Sequence, residues 1–113
     1  MLRVWLVFVA VGLFASSYPA AAAEQRIALV IGNSAYASAT PLKNAVNDAT
    51  LMTKTLSGIG FDVISANDAN QKQMKVAIRD FLNRLTDAGE EAVGIFFYAG
   101  HGLQVLGTNF LVP

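Results

Sequence analysis

His101 is the only histidine in the chain, and Gly100 and Gly102 stand on either side of it. It follows directly on residues 92–98, Ala-Val-Gly-Ile-Phe-Phe-Tyr, an apolar run with the make-up of a buried strand. An imidazole exchanges its proton near neutral pH, which makes it the usual general acid or base. The carboxyl end of a strand is where an α/β protein gathers its chemistry. Two glycines beside the ring leave room for a substrate to approach, and the Gly102 N–H has no side chain in front of it, as an oxyanion donor requires. A polar loop residue at a strand end has the same appearance, and this segment alone leaves both readings open.

Two other segments could share a cleft with His101. Gly32-Asn33-Ser34-Ala35-Tyr36 closes the first apolar run, residues 26–31. Asn33 reads either as a cleft-lining residue or as part of a turn, and no glycine-rich phosphate motif follows it. Ser34 is a weak candidate nucleophile, since the strained G-x-S-x-G turn is missing. Leu42-Lys43-Asn44-Ala45-Val46-Asn47-Asp48-Ala49 opens a helical pattern. Asp48 either complements the positive helix start or faces the cleft, where it would favour a basic group. Asp62, Asp68, Asp80, Asp87, Glu90 and Glu91 are scattered and read as solvated surface. One histidine and no cysteine leave no metal-ligand cluster, and no cofactor is implied.

The elements that must position these residues alternate. Residues 26–31, 61–65 and 92–98 are strand-like, the first and third apolar on both faces, as covered parallel strands are. Ala45, Ala49, Met52 and Leu56 form one helical face ended by Gly58 and Gly60. Met74, Ile78, Phe81 and Leu85 repeat the spacing, with Asp68 or Asn70 to cap the start and Gly89 to close the end. The β-α-β-α-β order implies a parallel sheet with right-handed crossovers. Residues 103–106 and 109–112 around Gly107-Thr108 read as a short hairpin or as a loop leading to a fourth strand.

The chain has 113 residues, 54% of them hydrophobic, with 8 basic and 8 acidic side chains. That bounds it to one small domain. A neutral balance without basic clusters argues against nucleic acid. Met1-Leu2-Arg3, the apolar residues 4–15, the break at Ser16-Ser17-Tyr18-Pro19 and the small residues 20–23 have the layout of a signal peptide cut after Ala23. The expectation is Sec-type export to the periplasm or the medium. The apolar core is shorter than the ~20 residues of a spanning helix, so no stable membrane span is expected after cleavage; an uncleaved anchor is the alternative. Residues 24–113 are then the folded domain.

Five segments in register, residues 28–36, 42–49, 60–63, 97–102 and 107–113, resemble the caspase-like cysteine peptidases, in particular the large-subunit region of bacterial metacaspase-type proteins. The resemblance covers nearly all of residues 26–113. It implies a three-layer α/β/α fold of caspase-haemoglobinase type with a mostly parallel sheet, of which this chain would be the N-terminal part. It implies that His101 is the catalytic histidine and that Gly102 supplies an oxyanion donor. Asp48 matches the aspartate that selects arginine or lysine before the scissile bond. Ala99 stands where a pocket serine is often found, and Ala45 where a cysteine often is. The family nucleophile, a cysteine in a D-x-C segment, is expected beyond Pro113.

These expectations add up to a cysteine-type endopeptidase acting on a peptide or protein substrate with a basic residue, its nucleophile outside this chain. The alternative is a caspase-like module that binds peptides or a partner without cleaving. Some family members respond to calcium, and no acidic cluster here marks a site for it.

Overall fold

The computed structural model describes residues 24–113; the expected signal peptide and its expected cleavage after Ala23 lie outside the described residues. Seven elements follow in order: β1 (Arg26–Gly32), α1 (Ala45–Gly58), β2 (Asp62–Asn67), α2 (Gln71–Ala88), β3 (Val93–Ala99), β4 (Gly102–Val105) and β5 (Thr108–Leu111). The first three strands form a parallel sheet in the order β2-β1-β3.

β1 explains the layering. Side chains alternate across a strand, and both faces of β1 are apolar. Ile27, Leu29 and Ile31 pack with Met74, Ala77 and Phe81 of α2, whereas Ala28 and Val30 pack with Ala49 and Leu56 of α1. One helix therefore covers each face, which makes three layers. Leu29, Val30 and Ile31 are fully buried, each contributing about 1.5–3 kcal/mol by transfer from water.

α1 and α2 bury the faces that their spacing predicts, with Ala77 added on α2. Of the two expected caps for α2, Asn70 takes the role. Its Oδ1 accepts from the Gln73 N–H and the Gln73 Oε1 accepts from the Asn70 N–H, both at 2.9 Å, forming a reciprocal capping box. Arg84 pairs with Asp80 one turn back in α2 at 3.1 Å and ties the helix to the start of β2 through Asp62 at 2.8 Å.

Two expectations need correction. The third apolar run was expected to be buried on both faces, but Val93 and Phe96 of β3 are 37% and 47% exposed. β3 is an edge strand among the described residues, so its outer side lacks the cover that β1 has. The second strand also runs on to Asn67, two residues past the expected Ser65. Beyond β3 the hairpin reading holds: β4 and β5 pair with each other as a separate antiparallel sheet. Leu106 and Gly107 have φ of 49° and 79°, the two positive values that a two-residue I′ hairpin turn demands.

Candidate active site

Three strand ends meet at the carboxyl edge of the parallel sheet. Gly32 pairs in register with Asn67 on one side and Ala99 on the other. Main-chain bonds carry the sheet one step further, the Asn33 N–H donating to the Ala99 carbonyl and the Asp68 N–H to the Gly32 carbonyl, both at 2.9 Å. Residues 33, 68 and 100–101 therefore leave the sheet at one level, the position that the fold offers for a site.

The start of α1 is pulled onto this edge. A Cβ on Gly32 would lie 2.5 Å from the Ala49 Cβ and 2.8 Å from the Ala45 carbonyl oxygen. Only a glycine allows so close an approach. Asn44, at the N-cap position, makes no side-chain cap. Ser34 makes it instead: its Oγ accepts from the Val46 N–H at 3.0 Å. Ser34 thus serves the helix start, and its oxygen is engaged there. Asp48 lies in the first turn of α1, exposed, flanking the buried Ala45 and Ala49.

Asn33 lies where the sequence places it in the chain but not where a substrate would meet it. Its side chain is 1% exposed. The Oδ1 accepts from the Ala69 N–H at 2.9 Å, and the Nδ2 donates to the Ala69 and Val112 carbonyls at 3.4 Å each. A buried amide must satisfy its polar atoms, and these bonds join the ends of β1 and β5 and the start of α2. Asn33 is a pin beneath the edge rather than a surface of it.

Asp68, expected to be plain surface, binds the loop after β1. One oxygen accepts from the Ser34 and Ala35 N–H groups at 2.8 and 2.9 Å. Those two bonds, Ala35 first, hold its carboxyl below the usual aspartate range. The loop neck is closed by the Leu42 N–H donating to the Ser34 carbonyl at 2.8 Å.

His101 is held at four atoms or faces. Its Nε2 lies 2.7 Å from the Thr40 carbonyl oxygen. A carbonyl can only accept, so Nε2 carries the hydrogen and the neutral ring has its lone pair on Nδ1. The Tyr36 ring lies against the imidazole with centroids 4.6 Å apart and planes tilted 56°. The His101 N–H donates to the Tyr36 hydroxyl at 2.7 Å. The His101 carbonyl accepts from the Tyr98 hydroxyl at 2.7 Å and from the Val112 N–H at 3.0 Å.

The Tyr98 hydroxyl also lies 2.9 Å from the Val112 carbonyl and 3.3 Å from the Tyr36 hydroxyl. It has one proton, and two of its neighbours are carbonyls. That proton points to the carbonyls, so Tyr36 donates in the tyrosine pair. A circuit results, from the His101 N–H to Tyr36, to Tyr98 and back to the His101 carbonyl. Burial raises the Tyr98 hydroxyl well above its ordinary value, so it stays a donor. Gly100 lies inside the circuit: a Cβ there would be 2.5 Å from both tyrosine hydroxyls.

Gly102 starts β4 opposite Leu111. The Val112 N–H bond to the His101 carbonyl makes residues 101 and 112 a bonded pair, so the next pair, 102 with 111, is of the non-bonded kind. The Gly102 N–H is thereby turned away from β5. Nothing approaches a Cβ at this position closer than the Phe110 carbonyl oxygen at 3.9 Å, so space is open beside His101.

Tyr36, Thr40, Tyr98 and Asp68 are site residues that spacing alone did not single out. The available signal was chemical: a half-buried tyrosine must place its hydroxyl on a partner, and Tyr36 and Tyr98 each stand a few residues from a glycine at a strand end. Among the described residues no group of three or more His, Cys, Asp or Glu could hold a metal ion, and no helix is long and apolar enough to cross a membrane.

A parallel α/β/α sheet with a histidine-glycine step at the end of its third strand defines a class, the caspase-like fold. The profile of the Caspase domain family matches residues 25–113, and the chain belongs to that family. It is 36% identical over 91 residues to the mucosa-associated lymphoid tissue lymphoma translocation protein 1 of Homo sapiens, and equally to its homolog in Mus musculus. Each alignment covers 80% of this chain and 11% of the relative. The chain therefore spans about a tenth of the length of these relatives.

Proposed function

We propose that this domain is the histidine-bearing part of a cysteine-type endopeptidase of metacaspase type that cleaves after arginine or lysine. The observation that carries the reading is His101, its Nε2–H bonded to the Thr40 carbonyl and its Nδ1 lone pair left for chemistry, beside an outward N–H on Gly102. The His101 Nδ1 takes the proton of a cysteine thiol supplied by the polypeptide beyond Pro113, and the resulting thiolate attacks the scissile carbonyl carbon. The carbonyl π pair moves onto oxygen, which the Gly102 N–H stabilises. The C–N bond then breaks as His101, protonated, gives its proton to the leaving amine. Water hydrolyses the thioester with His101 as base, and the thiol is restored. Asp48, with Ala99 in place of a hydroxyl-bearing residue, borders the pocket for the basic side chain. Asn33 supports that pocket from beneath. The leader directs Sec export, so the mature N-terminus is Glu24.

A second reading is a peptide-binding module without cleavage, in which Asp48 at the start of α1 serves to bind a basic side chain. Assay of the full-length gene product on fluorogenic peptides ending in Arg, Lys or Asp separates the two. The peptidase reading expects turnover of the Arg and Lys substrates and a loss of about 100-fold or more in His101→Ala, the scale of a missing general acid–base. Asp48→Asn should lower kcat/KM for Arg substrates by about tenfold, the scale of one charge-assisted contact. Binding of Arg peptides without turnover would favour the module, and turnover unchanged in His101→Ala would end the peptidase assignment of this histidine.

A further inference from the structure

We infer that Tyr36 is a positioning residue for His101, acting on both the main chain and the ring. The inference rests on the reading of His101 as the general acid–base. Its basis is the number of independent contacts that converge from one side chain. The Tyr36 hydroxyl takes the His101 N–H at 2.7 Å, and its ring lies 4.6 Å from the imidazole. Main chain and side chain of residue 101 are thus gripped by opposite parts of one tyrosine.

The grip is needed because of where His101 sits. It falls between β3 and β4, in the two-residue gap Gly100-His101 that belongs to neither sheet. No strand ladder fixes its N–H, and Gly100 before it supplies no side chain to restrict the link. The circuit through Tyr36 and Tyr98 bonds the N–H that the ladder leaves unpaired and adds the Tyr98 hydroxyl to the Val112 N–H on the carbonyl of the same residue. The loop that carries Tyr36 also carries Thr40, so the tyrosine brings the Nε2 acceptor and the imidazole into register. The Asp68 bonds to the Ser34 and Ala35 N–H groups anchor that loop just before Tyr36. A ring held in one rotamer keeps Nδ1 aimed, and aim is what effective catalysis requires of a base.

The test uses two readouts. The chain has one histidine, so an imidazole-labelled sample reports on His101 alone by NMR. In the parent the ring Cε1–H order parameter should be in the rigid range near about 0.85, and in Tyr36→Phe it should fall below about 0.6. Amide exchange of Leu29 and Val30 in β1 controls for general loosening, and should change far less. Tyr36→Leu, which also removes the ring contact, should be at least as mobile. In the full-length protein Tyr36→Phe should lower kcat by about tenfold with KM within twofold, the pattern of an interaction that matters only in the transition state.

An unchanged ring order parameter in Tyr36→Phe would overturn the inference. So would a change that merely follows the β1 amides, since that is the mark of a structural role. Failure of the peptidase reading looks different: His101→Ala would leave turnover intact while the ring of the parent remained rigid and dependent on Tyr36. Should Tyr36→Phe not fold, Tyr98→Phe opens the same circuit at its other hydroxyl and must loosen the ring in turn.

Discussion

Asp68 shows how much one side chain can do while looking like surface. Its carboxylate receives the two N–H groups that begin the loop after β1, and its own backbone is in the left-handed region at φ 48°. The bonds favour the ionised form, so the folded value lies below the unfolded one. The stabilisation is therefore complete above about pH 4, the ordinary aspartate value, and is lost as pH falls through the lower folded value. Asp68→Asn should be less stable than the parent at pH 7 by urea unfolding, with the difference closing as pH falls through the lowered folded value. A difference independent of pH would mean that charge plays no part in the clasp. Legibility in the sequence divides along the same line. His101 stands out because a lone histidine between glycines at a strand end is a local pattern. Tyr36, Thr40 and Asp68 do not, because a loop path in space brings them to it, and spacing does not encode a loop path. Asn33 was visible as a residue at the edge, but which way its amide turns depends on Ala69 and Val112, 36 and 79 residues away.

At the scale of elements, the contact of β1 with α1 sets the floor of the site. Gly32, Ala45 and Ala49 are small because the strand end and the helix start touch there. Gly32→Ala should destabilise the protein by about 1–3 kcal/mol, as overpacking against fixed backbone does. Ala49→Gly by itself should cost about 1 kcal/mol in helix propensity. Together the two should cost less than their sum by at least about 0.5 kcal/mol, the signature of residues in contact. Strict additivity in chemical denaturation would show that the strand end and the helix do not meet. These elements were largely readable beforehand, since the three-and-four spacing of Ala45, Ala49, Met52 and Leu56 and of Met74, Ile78, Phe81 and Leu85 is a helix signature in itself. What spacing could not reveal was that β3 lies at an edge among the described residues. An apolar strand reads alike whether its neighbour is present or not, and strand order belongs to the sheet, not to the strand.

Across the whole molecule, stability should follow the order of the sheet. β1 has a strand on each side and a helix on each face, and it contributes to both core clusters. β4 and β5 pair only with each other, and every residue of both is exposed. A lone two-stranded hairpin is marginal in water; here it is tethered by the bonds of Tyr98 and Asn33 to the Val112 carbonyl. Amide hydrogen exchange should therefore be slowest in β1, where opening requires global unfolding. It should be faster by about 100-fold or more in β4 and β5, where local opening suffices. Tyr98→Phe should widen that gap by freeing the tether while leaving β1 nearly unchanged. Equal protection of hairpin and β1 would instead make the hairpin part of the core. The proposed oxyanion donor Gly102 begins this weakly held hairpin, whereas His101 is gripped by the tyrosine circuit. Under the proposed function, a substrate entering beside the rigid His101 would draw the yielding hairpin into place, and exchange at β4 should slow when an Arg peptide binds.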